Sequence, residues 1–152
     1  MSLAPFILCA LLTTVFGRMG RGSAVWAFLQ LPSTAMHELC HYFVALLLRS
    51  RPSSIDLVPR RADGGWTLGS VTFHPHWATA SFVALAPALL FGGAWALVPA
   101  EALPMAQQVI RGMTFSWCLM GGLPSRTDWE IALKRPFGLA VGLTVAWLWL
   151  YK

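Results

Sequence analysis

The sequence predicts an α-helical integral membrane protein of about five membrane helices, with a β-hairpin between the second and the third. Hydrophobic residues make up 57% of its 152 residues and charged residues 11%, less than half of the roughly 25% charged residues found in soluble domains. The basic residues stand singly or in pairs between apolar runs, which is typical of the loops of membrane proteins. They form no basic stripe on a polar domain, so we expect no nucleic-acid partner.

Five apolar runs are the candidate spans, at residues 3–17, 23–48, 77–99, 107–123 and 137–151. The first and last are short, because a helix needs about 20 residues to cross the hydrocarbon core. No basic segment precedes the first run and no clear cleavage site follows it, which predicts a retained helix and not a signal peptide. The last run ends in Trp147, Trp149 and Tyr151, which suits an interfacial aromatic belt.

The segment between the second and third runs has a different character. Residues 55–58 and 66–73 are strand-like, and the Ala-Asp-Gly-Gly sequence at 62–65 has turn chemistry. We therefore expect a β-hairpin here, within a single domain that comprises residues 1–152.

Loop charges predict the orientation. With the amino terminus inside, the cytoplasmic loops hold most of the basic residues: Arg49, Arg51, Arg60, Arg61, Arg126, Lys134 and Arg135. The positive-inside rule favours this arrangement. We expect a multi-pass protein of the cytoplasmic (inner) membrane, in which the end of the second span and the region of Arg126 lie on the same side.

The second run contains the sequence His37-Glu38-Leu39-Cys40-His41. His37 and His41 point the same way on a helix and can share one metal ion. Glu38 lies about 100° from His37, where it can reach a metal-bound water. This is the H-E-x-x-H arrangement of zinc hydrolases. Three ionisable groups in an apolar helix cost several kcal/mol unless they are paired or ligate something. The alternative is a structural membrane protein whose polar cluster joins helices and binds no metal.

A catalytic zinc usually has three protein ligands and an open position for water. Asp128 is the best third ligand, because it follows the fourth run at the predicted depth of His41. Ser125-x-x-Asp128 also fits a helix capping box, and the two interpretations carry equal weight. Glu130 is a weaker candidate, since it points about 200° away from Asp128 on a helix.

His74 and His76 are the other histidines of the chain. Residues two apart on a strand face the same way, so the pair could bind a second metal or stabilise an oxyanion. They could equally be polar residues at the membrane interface, which we favour slightly. We interpret Cys40 as a packing residue and not as a ligand, because cysteine is often a small buried residue.

The motif from His37 to His41 in a membrane helix, the hairpin that follows and the Pro-x-x-x-Asp element ending at Asp128 together resemble the site-2 protease family of intramembrane metalloproteases. The resemblance covers roughly residues 24–135. It implies one zinc ion per chain, held by His37, His41 and Asp128, with Glu38 as general base. It also implies hydrolysis of a peptide bond in or next to a transmembrane helix of a protein or peptide substrate. The family's usual Asp-Gly pair is Asp128-Trp129 here, and a central Asn-Pro element is missing.

Two other zinc-binding classes remain open. One is a non-catalytic membrane zinc-binding or transport-associated protein, with a site formed by all four histidines. The other is the group of membrane zinc proteases whose motif often reads His-Glu-Leu-x-His and whose third ligand is a glutamate. Glu101 is then the distant candidate, although those proteins carry a substantial soluble catalytic domain for which this chain is short.

Overall fold

The computed structural model describes residues 3–19, 23–62, 65–74, 76–99 and 103–151. Most of this chain is helical, which confirms the predicted helical class. The helices are α1 (Ala4–Met19), α2 (Ala24–Leu47), α3 (Ala80–Ala84), α4 (Leu89–Leu97), α5 (Met105–Gly121), α6 (Arg126–Lys134) and α7 (Phe137–Leu150). A 3₁₀ turn at Ala86–Ala88 connects α3 to α4.

The long helix α2 has defined ends. Its N-cap is Ser23, whose hydroxyl accepts the N–H of Trp26 at 3.1 Å, so one of the free amides of the first turn is satisfied. At the other end Arg49 adopts a φ of 53°, and the N–H of Ser50 donates to the carbonyl of Ala45 at 2.8 Å. This is a Schellman-type ending, in which the left-handed residue is usually glycine.

The third predicted span is not one helix. The run 77–99 folds as α3, the 3₁₀ turn and α4. Pro87, inside the turn, has no N–H and its ring cannot continue an α-helix. The expectation of a continuous span is therefore wrong at this position.

The described helices were compared with the length and the apolar composition that a membrane span requires. Tested one by one, none of them is both long enough and apolar enough to cross a membrane; α6 and α7 meet the requirement only when taken together, and the chain bends by 89° between them.

The predicted hairpin is confirmed, in two segments. Strand β1 (Ser54–Asp56) pairs antiparallel with β4 (Ser70–Thr72), and β2 (Arg60–Ala62) pairs with β3 (Gly65–Thr67). Between the two segments, the three residues 57–59 lie opposite the two residues 68–69. The side of the hairpin with the extra residue therefore forms a bulge. Leu57 and Val58, predicted as strand, lie in this bulge, and the turn residues Asp63 and Gly64 lie outside the described part of the chain.

Helix α5 is the centre of the helical packing, with contacts to α1, α2 and α4. On its α1 side the hydroxyl of Ser116 donates to the carbonyl of Ala10 at 2.7 Å, and Phe6 packs edge-on against Phe115. On its α2 side the hydroxyl of Ser33 donates to the carbonyl of Trp117 at 3.0 Å. Small residues and polar contacts therefore hold the helices together.

Candidate metal centre

Helix α2 positions the two motif histidines. His37 and His41 are one turn apart, and their Nε2 atoms are 3.2 Å from each other. His41 is buried and His37 is half-buried. The predicted i, i+4 pair therefore presents two nitrogen atoms to one point.

Asp128, in the first turn of α6, brings a carboxylate to the same point. Its Oδ1 lies 3.2 Å from Nε2 of His41, and its Oδ2 lies 3.4 Å from Nε2 of His37. The capping box is also present, because the N–H of Ser125 donates to Oδ2 and the hydroxyl of Ser125 accepts the N–H of Asp128. The two interpretations of this residue are compatible: the same carboxylate caps the helix and faces the histidines.

The other ring nitrogen of each histidine faces a backbone carbonyl. Nδ1 of His37 is 2.7 Å from the oxygen of Gly121, and Nδ1 of His41 is 2.8 Å from the oxygen of Val83. A carbonyl oxygen can only accept, so each Nδ1 carries the hydrogen. In the neutral imidazole each Nε2 is then left with a lone pair, which is the form that binds metal.

Both carbonyls lack their usual helical partner. In a continuous helix the oxygen of Val83 would accept the N–H of residue 87, but Pro87 has none. Gly121 is the last residue of α5, and the N–H of Ser125, four residues on, donates to Asp128 instead. Carbonyls at helix ends that lack this N–H need other donors; the imidazole of His37 is placed to donate to Gly121, and that of His41 to Val83, towards which the N–H of Leu85 also points.

The donor atoms lie close enough together to share one metal ion. One ligand atom each from His37, His41 and Asp128 can be chosen so that all lie within 4.8 Å of one another. Bonds of about 2.0–2.1 Å from tetrahedral zinc to nitrogen and oxygen place neighbouring donors about 3.3–3.4 Å apart. The two Nε2 atoms, 3.2 Å apart, fit that spacing, and each carboxylate oxygen of Asp128 lies 3.2–3.4 Å from one of them. These three residues can hold a metal ion and leave its fourth position open.

Glu38 lies beside this group and is buried. It follows His37 directly in α2. The hairpin covers its stem at Gly69, where a Cβ atom would lie 2.9 Å from Cγ of Glu38. The predicted general base therefore lies between the hairpin and the group formed by His37, His41 and Asp128.

The structure does not bring the other candidates into this group. His74 and His76 are exposed; Nδ1 of His74 is 3.4 Å from the carbonyl of Arg51, and the ring of His76 lies against Trp77. Glu130 forms an exposed ion pair with Arg126 at 3.4 Å.

Two further candidates need separate mention. Cys40 is a free thiol of intermediate exposure and is not part of the group within the described chain that could hold a metal ion. Glu101 lies outside the described residues.

Sequence reasoning missed the carbonyls of Val83 and Gly121 and the contact of Gly69 with Glu38. One signal was available: a proline inside an apolar run frees the carbonyl four residues before it, and Pro87 frees that of Val83. Comparison with known protein families, with curated proteins and with solved structures gives no match in any of the three.

Proposed function

We propose that this protein is an intramembrane zinc metalloendopeptidase that hydrolyses a peptide bond in or next to a transmembrane helix of its substrate. The observation that carries the proposal is the convergence of His37, His41 and Asp128, whose donor atoms lie within 4.8 Å of one another, with Glu38 beside them. Two histidines, a carboxylate and an adjacent glutamate are the parts that hydrolytic zinc chemistry requires.

The residues of the site have different roles in the proposed reaction. When bound, zinc supplies the Lewis acid that polarises a scissile carbonyl and acidifies water. The carbonyls of Gly121 and Val83 hold the two imidazoles in the tautomer that leaves each Nε2 free. Glu38 takes the proton of the attacking water on its carboxylate and passes it to the nitrogen of the leaving amine. Burial of Glu38 keeps bulk water from competing for that proton.

The distribution of side chains supports a location in the lipid bilayer. Polar residues are buried between the helices, among them Gln30, Ser33, Ser81, Ser116. Large apolar side chains face outward; Phe28 of α2 is 69% exposed and Trp95 of α4 is 81% exposed. Soluble monomers rarely expose large contiguous apolar surfaces. We place the protein as a multi-pass protein of the cytoplasmic membrane, with the amino terminus inside.

The hairpin suits an unwound substrate. A helical peptide hides its backbone, so the scissile segment has to become extended. Strands β1 and β4 each have one hydrogen-bonded neighbour within the described chain, which leaves edges that an extended segment can join by strand addition. Because Gly69, just before β4, is so near Glu38 that an added Cβ atom would lie 2.9 Å from its Cγ, a segment added there lies near His37, His41 and Asp128.

The decisive experiment combines metal analysis with a hydrolysis assay. We expect about one zinc ion per chain in detergent-purified protein and cleavage of members of a panel of labelled transmembrane peptides. Glu38→Gln keeps the metal and loses cleavage. Glu130→Gln is the matched control, since Glu130 is exposed and paired with Arg126; it keeps both.

Two results would contradict the proposal. Wild-type protein that binds no zinc, even after zinc is added back, would leave a polar helix bundle without the chemistry. Cleavage at an equal rate by Glu38→Gln would show that this carboxylate takes no part in it.

A further inference from the structure

We infer that Gly121 is a positioning residue for the metal centre: its lack of a side chain lets α5 come close enough to α2 for its carbonyl to hold His37. The inference rests on the proposed metal site and concerns how that site is kept in order. Gly121 is buried, and its oxygen is 2.7 Å from Nδ1 of His37.

The contact between the two helices leaves no room for a Cβ atom. Built on Gly121, it would lie 2.6 Å from the backbone oxygen of Ser33 and 3.2 Å from the hydroxyl of the same residue. Ser33 is one turn before His37 on α2, and a backbone oxygen cannot rotate away as a side chain can. Since Cβ contacts under 3.0 Å are essentially never found, an alanine here must separate the helices by about 0.4 Å or more.

That separation acts directly on the ligand. Ser33 also ties α2 to α5 through its bond to the carbonyl of Trp117 at 3.0 Å, so the helices meet just before His37. A longer distance from Gly121 to Nδ1 weakens the bond that fixes the tautomer and the ring orientation. Loss of such an outer partner typically lowers metal affinity 10- to 100-fold.

The chain contains a matched control on the same helix. A Cβ atom on Gly112 of α5 would also lie 2.6 Å from a backbone oxygen, that of Phe6 in α1. The conflict has the same size and kind, but it acts on the contact between α1 and α5 and touches no residue that faces the metal group. Gly112→Ala therefore reports the cost of pushing two helices apart without disturbing His37.

The test measures zinc and cobalt(II) affinity by competition with a chromophoric chelator, together with thermal unfolding, for wild type, Gly121→Ala and Gly112→Ala. We expect both variants to unfold at lower temperature than wild type. Gly121→Ala binds both metals at least tenfold more weakly and shows altered cobalt(II) absorption, whereas Gly112→Ala keeps the wild-type affinity and spectrum. Equal affinities of the two variants would overturn the inference.

A second measurement needs no variant and remains decisive if Gly121→Ala fails to fold. In metal-free wild type, ¹⁵N NMR of the histidine rings should find the hydrogen of His37 on Nδ1. A hydrogen on Nε2 would overturn the inference, because Nδ1 would then have nothing to donate to Gly121. Failure of the proposed function looks different: the wild type itself would bind neither zinc nor cobalt(II), and the positioning role would fall with it.

Discussion

The backbone N–H of Ser125 donates to Oδ2 of Asp128 at 2.6 Å, while the same carboxylate lies within 3.4 Å of both histidine Nε2 atoms. The first turn of α6 thus fixes the direction of the carboxylate through the backbone. A carboxylate that is held by its own helix cap would lose little conformational freedom on binding a metal. Preorganisation of this kind makes a binding site precise.

Removal of the cap and removal of the ligand should have separable effects. Ser125→Ala deletes the hydroxyl that accepts the N–H of Asp128 but keeps the N–H that holds the carboxylate. We expect it to lower the free energy of unfolding by about 1 kcal/mol and to keep zinc. Asp128→Ala deletes both functions, so it should also lose or greatly weaken zinc. Metal content and thermal unfolding, measured side by side, check both; zinc retained at wild-type affinity by Asp128→Ala would assign the third ligand elsewhere.

Pro87 should matter to the metal although it lies in the 3₁₀ turn. Pro87→Ala introduces an N–H that can donate to the carbonyl of Val83, the group that now holds Nδ1 of His41. We expect zinc affinity to fall about tenfold, at the lower end for loss of an outer partner. Pro104→Ala is the control, because Pro104 is exposed at the N-cap of α5 and should leave the affinity unchanged. Equal affinity in all three proteins would mean that the proline does not keep this carbonyl free.

Gly69 should influence catalysis and not metal binding. A methyl group at this position would meet Cγ of Glu38 at 2.9 Å and Cγ2 of Thr34 at 3.0 Å. Gly69→Ala should therefore displace Glu38 or lift the hairpin, and we expect at least a tenfold lower cleavage rate with zinc content unchanged, within the range of a general base's contribution.

The control for this experiment is Gly92→Ala in α4, where nothing lies within 4 Å of the added Cβ atom. It should keep the rate and raise the free energy of unfolding by about 0.5–1 kcal/mol, because alanine is the better helix former. A wild-type rate in Gly69→Ala would show that the hairpin contact does not control the base.

The sequence was sufficient for the parts of the site that local geometry determines. The spacing of His37 and His41 places both rings on one side of any α-helix, and the structure has them there. The antiparallel hairpin also follows from local signals, since alternating strand residues flank a turn. Asp128 was predicted as the third ligand because it follows the end of the fourth apolar run, and the structure does bring it to the histidines.

The rest depends on contacts between distant segments. Whether Asp128 caps a helix or faces a metal could not be decided locally, because its two oxygens allow it to do both. The approach of α5 to α2 at Gly121 is a tertiary contact that no periodicity reports. The interruption of the third apolar run at Pro87 is the exception, because the proline is visible in the sequence. The prediction of a continuous span rested on the apolar composition of the run and neglected the missing N–H of Pro87.

The ending of α2 offers a test of backbone strain. Arg49 has a φ of 53°, which costs a residue with a side chain roughly 1 kcal/mol or more. The strain is retained because Ser50, which follows, is buried and bound on three sides: to the carbonyl of Ala45 through its N–H, to the hydroxyl of Thr79, and to the N–H of His74. These bonds join the end of α2 to the segment that follows the hairpin.

Arg49→Gly should therefore stabilise the protein. Glycine adopts this φ without strain, and part of the gain is offset because glycine makes the unfolded chain more flexible. We expect a rise of about 0.5–1 kcal/mol in the free energy of unfolding, measured by denaturation in detergent. Arg49→Ala keeps the strain and should show no such rise. Arg61→Gly, the same chemical change within β2, should lower stability, since glycine weakens a strand; a gain in all three variants would attribute the effect to lost positive charge and not to the backbone.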